Sequence, residues 1–124
     1  WNMEFELDER KYTIQNVVVT GVIKRQNIDY LIIRNEEYHS MIALPRFSEF
    51  AFMIANDLSA SDNLKIGKEL RVVLDEFKEK VIVITPYNSF LVPDSKYLRR
   101  QRINKEELIS KTKEILDSKT LTLK

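Results

Sequence analysis

The sequence predicts a mainly β fold with helices: a five-stranded Greek-key barrel, a short helix between the third and fourth strands, and a C-terminal helix. Two observations support this prediction. Stretches rich in valine and isoleucine recur as far as Thr85, and short turn-forming segments separate them. Apolar residues at helical spacing occur in residues 46–59 and again after Asn104. The first pattern is typical of antiparallel strands and the second of amphipathic helices.

The clearest strand pair lies in the middle of the chain. Leu70, Val72 and Leu74 alternate with other residues, which indicates a strand with one buried face. A charged turn follows, and the β-branched run 81–84 then indicates a second, more fully buried strand. Pro86 ends that run because proline has no amide hydrogen to donate to a sheet. We expect both strands to contribute to one shared core.

Three further strands are expected before this hairpin. Residues 12–25 form the longest candidate, and Gly21 interrupts it where a barrel strand would bend or bulge. Residues 28–34 and 38–44 follow after short turns, so the three strands are expected to form an antiparallel meander. Residues 1–11 combine alternating apolar positions with acidic side chains. They are expected to form either an edge strand or an acidic extension.

Two helices complete the predicted fold. Residues 46–59 have helical spacing, with Ser48 as a candidate N-cap. Covering the core is the more frequent role of such a helix, and an exposed aromatic surface for a partner is the alternative. Asn104 and Glu107 have the spacing of a capping box, and the apolar residues in 108–116 form a narrow stripe. This helix is expected to pack on the barrel, although docking on another molecule is an alternative.

Length and composition limit the possible functions. At 124 residues the chain has the size of one domain, which we divide into an N-terminal extension or edge strand (1–11), a barrel (12–92), and a basic linker with the C-terminal helix (93–124). The absence of cysteine excludes disulfides and thiolate metal sites. Two glycines in the whole chain exclude a phosphate-cradling or dinucleotide-binding loop. The net charge of +1 gives no overall attraction to nucleic acid or membrane, so any such role depends on local clusters.

Membrane and secretory segments are not expected. No apolar run reaches the roughly 18 residues of a membrane helix, and no basic-then-apolar signal segment opens the chain. The lack of cysteine also suits a reducing compartment. We therefore expect a cytoplasmic protein that makes no membrane contact.

The sequence contains no convincing catalytic pattern. Asp57, Asp62, Asp75 and Glu76 fall in predicted loops and turns, where solvated surface is the ordinary explanation and a carboxylate metal site a minor alternative. The single histidine, His39, is expected to be structural or exposed. We therefore predict no enzyme activity, no cofactor and no metal site.

The order of three strands, helix and two strands is that of an OB-fold. Residues 17–85 also resemble the S-one domain, the RNA-binding OB-fold repeat of the largest small-subunit ribosomal protein. Three stretches carry the resemblance, and the first of them begins at the adjoining Asn16. NVVVTGVIKR resembles its opening strand with a glycine in the middle, and IALPRFSEF resembles the segment where the third strand ends in a proline. IGKELRVVLDEFKEKVIVIT resembles its closing hairpin. The resemblance implies an OB-fold that binds single-stranded RNA.

The second and third strands depart from the pattern of that family. The family usually has a glycine and paired aromatic residues on the second strand, where this chain has Tyr30 with Leu31 and Ile33. The family's third-strand histidine falls near Ala43, and His39 is out of register with it. The sequence therefore supports the fold better than it supports the RNA-binding face.

Positive charge beside aromatic residues is the sharpest functional pattern. One group, the strand cluster, consists of Lys24, Arg25, Tyr30, Arg34, Arg46 and Phe47. The other, the basic segment, consists of Lys96, Tyr97, Arg99, Arg100 and Arg102. In an OB-fold, bases would stack on Tyr30 or Phe47 while the cations contact phosphates. For the basic segment, a solvated charged linker is an equal alternative.

Two functional hypotheses follow from these patterns. The first is a non-enzymatic module that binds single-stranded nucleic acid, with RNA rather than DNA as the expected ligand, within a larger protein or assembly. The second is an OB-fold that binds a protein partner and no nucleic acid, through the barrel face or the C-terminal helix. The near-neutral charge and the missing aromatic residues favour the second hypothesis, whereas the two basic groups and the resemblance favour the first.

Overall fold

A computed structural model describes residues 2–45, 51–54 and 66–122 of the chain. The strands are β1 (Asn2–Leu7), β2 (Arg10–Arg25), β3 (Ile28–Arg34), β4 (His39–Pro45), β5 (Glu69–Leu74), β6 (Lys80–Ile84) and β7 (Phe90–Leu91). The two helices with defined ends are α1 (Ser95–Arg100) and α2 (Lys105–Thr122). Residues 51–54 are also helical, and the rest of the helix predicted over residues 46–59 lies outside the described residues.

The strands form one curled antiparallel sheet, a half-barrel, in the order β4-β3-β2-β5-β6-β7. β1 pairs with the first half of β2, beside the path of the other strands. The predicted mainly β fold with a C-terminal helix is confirmed, but the prediction of five strands is wrong because the sheet has seven.

The two additional strands lie at the ends of the predicted barrel. β1 pairs with β2 through a tight turn at Asp8 and Glu9, whose φ angles are 50° and 66°. Such left-handed turns suit the twist of a hairpin and usually contain glycine or asparagine, so these acidic residues gave no clear signal of one. β7 contains only two residues, too few to produce an alternating pattern.

The two faces of the sheet carry separate hydrophobic cores. The inner core gathers residues from both ends of the curled sheet: Val17, Val19, Leu31, Ile33, Ile42, Leu44, Ile54, Leu70, Val72, Leu74 and Val83. The outer core lies between the sheet and the two helices: Tyr12, Ile14, Val73, Val81, Ile82, Ile84, Leu98, Leu108 and Leu116. The prediction of one shared core is therefore wrong for Ile82 and Ile84, because helices cover the second face of their strand.

The longest strand, β2, organises the sheet. Along one edge it pairs first with β1 and then with β3, while its other edge pairs with β5. A bulge between Val19 and Gly21 marks the bend, as the mid-strand glycine predicts. A Cβ atom at Gly21 would lie 3.3 Å from Cδ1 of Ile32, so the glycine also makes room for that side chain.

The C-terminal helix packs on the sheet, which confirms the more frequent of the two expectations. Leu108 and Leu116 are buried in the outer core, and Ile109 and Ile115 pack against it. Asn104 caps the helix, since its Oδ1 accepts a hydrogen bond of 3.0 Å from the amide of Glu107. Neither α1, α2 nor the other described helical residues have the length and apolarity to cross a membrane.

Candidate nucleic-acid interface

The outward residues of β3 and β4 form a surface that we call the outer β-face. Successive residues of a strand point to opposite faces, and Leu31, Ile33, Ile42 and Leu44 lie in the inner core. Their neighbours therefore point outward, where they form three rows with residues of β2. The rows are Ile23–Tyr30–Ala43, Gly21–Ile32–Met41 and Val18–Arg34–His39.

This surface combines an aromatic ring, apolar side chains and positive charge. Tyr30 and Ile32 are half-buried, and Met41 is 50% exposed. Arg34 is exposed in the row beyond Ile32, directly opposite His39. His39 is exposed, as expected, but the sequence did not indicate that it shares a face with Tyr30. Because positions 39 and 43 have the same parity on β4, both lie on the outer β-face.

Arg25 and Tyr30 meet at the turn between β2 and β3. Together with Gln26, Asn27 and Ile28 they line an open cleft with a volume of about 720 Å³. Gln26 has a φ of 43°, which is the left-handed backbone of a tight turn. The structure therefore brings together two members of the predicted strand cluster.

The remaining members of the strand cluster do not all join this surface. Lys24 lies opposite Asp29, on the side of β2 from which Val22 packs against the inner core. Strand alternation therefore puts the side chains of Lys24 and Tyr30 on opposite faces, and a contact of Lys24 with nucleic acid stays a prediction. Arg46 and Phe47 lie outside the described residues.

The basic segment folds as α1 and the turn that follows it. Lys96, Arg99, Arg100 and Arg102 are exposed. Arg102 has a φ of 59°, and its amide bonds to the carbonyl of Arg99 at 3.1 Å. The amide of Ile103 bonds to the carbonyl of Leu98 at 2.9 Å. These two bonds form a Schellman motif, in which Arg102 occupies the left-handed position that glycine usually takes.

Tyr97 is held within the chain. Its hydroxyl donates a hydrogen bond to Oδ2 of Asp75, and the guanidinium of Arg100 lies 5.9 Å from the centre of its ring. Burial, together with this bond to Asp75, raises the pKa of Tyr97 far above its ordinary value. The hydroxyl and one ring face of Tyr97 thus have partners within the chain, and a contact of Tyr97 with nucleic acid stays a prediction.

Asp75 also differs from the sequence-based expectation. It is only 8% exposed, whereas a solvated turn residue was predicted. Its Oδ1 accepts hydrogen bonds from the amides of Phe77 at 2.8 Å and Glu79 at 3.0 Å, which shape the turn between β5 and β6. Three donors thus satisfy a carboxylate that would be costly to bury alone.

The outer β-face and the basic segment lie along different halves of β2. Arg10, the first residue of the strand, donates a hydrogen bond to the carbonyl of Gln101 at the end of α1. Arg25, its last residue, lines the cleft with Tyr30. Arg34 is paired with Val18, near the middle of the strand. The outer β-face therefore extends along the second half of β2, whereas the basic segment is bonded to its first residue.

Side chains also connect β4 to β6, a contact that sequence analysis missed. Lys80 donates a hydrogen bond of 2.8 Å to Oγ of Ser40, and the hydroxyl of Tyr38 donates one of 3.3 Å to the carbonyl of Lys78. Burial lowers the pKa of Lys80. No local pattern could have indicated contacts between residues so distant in sequence. Among the described residues, no group of three or more histidine, cysteine or carboxylate side chains could hold a metal ion.

Comparison of the chain with models of protein families finds no match, and comparisons with curated proteins and with solved structures find none either. The functional argument therefore rests on the geometry of these surfaces.

Proposed function

We propose that this chain is a non-enzymatic module that binds single-stranded nucleic acid, RNA rather than DNA, on its outer β-face. The observation that carries the proposal is the position of Tyr30 on an open sheet face, with apolar side chains beside it and Arg25 and Arg34 on either side. Aromatic rings on open sheets bind single strands by stacking on bases, while cations follow the phosphates. The module would act within a larger protein or assembly.

We further propose that the half-barrel is an OB-fold. The order β4-β3-β2-β5-β6 supports this proposal, because it is the order of a five-stranded Greek-key barrel opened between its third and fifth strands. The contacts Tyr38–Lys78 and Ser40–Lys80 span that opening. The residue numbers increase together in the two pairs, so β4 and β6 run parallel to each other. This orientation is expected because four antiparallel pairings separate the two strands in the sheet. Ile54, from the helical residues after β4, lies in the inner core.

In the proposed complex each side chain has a separate task. A base stacks on the ring of Tyr30, and Ile32 and Met41 contact the adjoining apolar surface of the strand. Arg25 and Arg34 contact phosphates on opposite sides of that base. Stacking is tolerant of sequence because every base has an aromatic face. We therefore expect binding with weak sequence preference and a clear salt dependence.

The test is a fluorescence titration of labelled single-stranded RNA with the unmodified protein and with Tyr30→Ala, at low and moderate salt. The substitution should weaken binding by about 1–3 kcal/mol with little change in the salt dependence, because it removes stacking and no charge. Tyr87→Ala is the matched control, since Tyr87 is 75% exposed in the turn between β6 and β7 and should not contribute. Absence of salt-dependent binding by the unmodified protein at tens of micromolar would refute the proposal.

A protein ligand on the same face is the second candidate. The half-exposed Met41 and the neighbouring Ile32 favour it, because apolar side chains contact proteins as readily as bases. The apolar stripe of α2, which was the other expected contact, is covered by the sheet and does not offer a docking surface. In the same titration, this candidate requires that RNA fails to bind.

A further inference from the structure

We propose that Asp75 and Tyr97 are positioning residues, which hold α1 so that the arginines of the basic segment form a rigid second phosphate-binding surface. This inference rests on the proposed function. Of the two interpretations of the basic segment, it adopts a binding surface and not a solvated linker.

α1 is too short to be stable by itself. The helix has six residues, and isolated helices shorter than about 12–15 residues are marginal in water. Its order therefore depends on contacts with the rest of the fold. Those contacts are the burial of Leu98, the bond from Tyr97 to Asp75, and the bond from Arg10 to Gln101.

The residue that accepts the bond from Tyr97 is itself held firmly in its turn. Asp75 is fixed by two amides of its own turn, and the hydroxyl of Tyr38 bonds to Lys78 in that turn from the β4 side. Tyr97 thus connects α1 to a turn that is itself held from two directions. A bond to such a turn fixes the orientation of the helix and not merely its proximity.

Each arginine of the basic segment lies on α1 or in the turn that ends it. Arg99 and Arg100 are exposed on the helix that Tyr97 fixes, and Arg100 lies over the ring of Tyr97. Arg102 is held by the Schellman motif at the end of the same helix. Cations on a fixed backbone lose less conformational freedom when they bind phosphates, so they contribute more to affinity than cations on a flexible linker.

Tyr97→Phe tests the inference without changing any charge. The phenyl ring keeps the packing and removes only the hydrogen bond to Asp75. With a single-stranded RNA of about 16 nucleotides, the upper end of common site sizes, the affinity should fall about fivefold to tenfold. The log–log salt slope should fall by about 0.7 or more, since each lost phosphate contact on a single strand contributes about that much. Hydrogen exchange at the amides of Leu98, Gln101 and Ile103 should become faster.

Tyr87→Phe is the matched control. It removes one tyrosine hydroxyl from the turn between β6 and β7, where the side chain is 75% exposed. It should leave both the salt slope and the exchange of the α1 amides unchanged. A double-mutant cycle adds a stricter test: Arg99→Gln with Arg100→Gln should cost much less affinity in the Tyr97→Phe background than in the unmodified protein.

Asp75→Asn provides a second variant if Tyr97→Phe does not fold. Its side-chain oxygen can still accept the turn amides, whereas its NH2 group can only donate a neutral hydrogen bond to the Tyr97 hydroxyl, so the stronger bond to a carboxylate is lost. Because this variant loses a negative charge, simple electrostatics would strengthen RNA binding. The positioning role instead requires weaker binding, so the direction of the change separates the two effects.

The outcomes are distinct. If the unmodified protein binds no RNA, the proposed function fails and this inference fails with it. If the unmodified protein binds with a normal salt slope and Tyr97→Phe keeps that slope and affinity, only the positioning role is overturned. Unchanged exchange of the α1 amides in Tyr97→Phe would also overturn it, because the bond would then not determine the order of the helix.

Discussion

Arg102 occupies a backbone position that opposes its residue type. Its φ of 59° lies in the left-handed region, which costs a non-glycine residue roughly 1–2 kcal/mol. The Schellman motif nevertheless requires that conformation at the end of α1. In the proposed function, the Arg102 side chain contributes a phosphate contact.

Replacing Arg102 with glycine should separate stability from binding. Glycine adopts the left-handed conformation without strain, although the greater freedom of the unfolded chain offsets part of the gain, so we expect the variant to be about 0.5–1 kcal/mol more stable. The same variant should lose about 0.7 from the log–log salt slope for single-stranded RNA. Urea denaturation and RNA titration measure the two effects.

Lys96→Gly is the control for Arg102→Gly, because Lys96 is an exposed cation inside α1. Glycine inside a helix should destabilise the protein by about 1 kcal/mol relative to a good helix former. Destabilisation by Arg102→Gly as large as that of the control would contradict the strain argument.

Ionisable side chains should make the protein less stable in alkaline solution. Burial is the main cause that raises the pKa values of Tyr12, Tyr38 and Tyr97 above the ordinary 10.0. Such groups stabilise the fold fully below the pKa of the unfolded state, and their contribution is lost as the pH rises towards the folded pKa. Burial lowers the pKa of Lys80 below its ordinary 10.5. Its contribution to the free energy of unfolding therefore increases with rising pH, but this increase is complete once the pH passes 10.5.

The free energy of unfolding should therefore decrease with rising pH above about 10.5. Tyr97→Phe should make that decrease shallower, since it removes one of the three tyrosines that lose protons on unfolding. Urea denaturation at a series of alkaline pH values measures the slope, with Tyr87→Phe as a control at an exposed tyrosine. Equal slopes for the unmodified protein and Tyr97→Phe would refute the prediction.

At the level of secondary structure, local pattern predicted the strands that have one buried face. The alternation in residues 28–34 and 38–44 indicated β3 and β4, and it also grouped Tyr30 with Arg34 on one face. Gly21 indicated the bulge in β2. These features could be predicted because burial on one side of a strand leaves a period of two in the sequence.

Other features could not be predicted, because their causes are not local. Alternation in residues 1–11 left an edge strand and an acidic extension open; the strand forms as β1, but residue type does not favour the left-handed φ angles of Asp8 and Glu9 in its hairpin turn. The buried state of Asp75 depends on Tyr97, which is 22 positions further along the chain. The outer core exists because α1 and α2 cover the outer face of β5 and β6. The sequences of these two strands do not indicate which elements will pack on that face.

The helices also determine which part of the sheet stays open. They cover the part of the outer face formed by β2, β5 and β6, with Tyr12, Ile14 and Ile82 buried beneath them. The part formed by β3 and β4 retains exposed outward residues, including Met41. The sheet therefore has one face divided into a covered half and an open half. The outer β-face is the open half, and α1 lies with the covered half.

For the molecule as a whole, the proposed function predicts that RNA binding depends on ligand length. Arg25 is the last residue of β2 and Tyr30 pairs with Ile23 near that end, whereas the end of α1 is bonded to the first residue of β2. In the proposed function, a short single strand occupies only one of these surfaces. A longer strand can occupy both, and the second contact is then made within the same complex, which increases affinity without any new type of interaction.

RNA oligonucleotides of about 5 and about 16 nucleotides, close to the limits of common site sizes, should distinguish the two surfaces. With the short strand, Tyr30→Ala should weaken binding, while replacing Arg99, Arg100 and Arg102 together by glutamine should have little effect. With the long strand both variants should bind more weakly. The triple variant should also lose up to about 2 from the log–log salt slope, at about 0.7 for each phosphate contact, whereas Tyr30→Ala should keep the slope. If the triple variant weakened the short and the long strand equally, the arginines would contribute only through general charge and not as a separate surface.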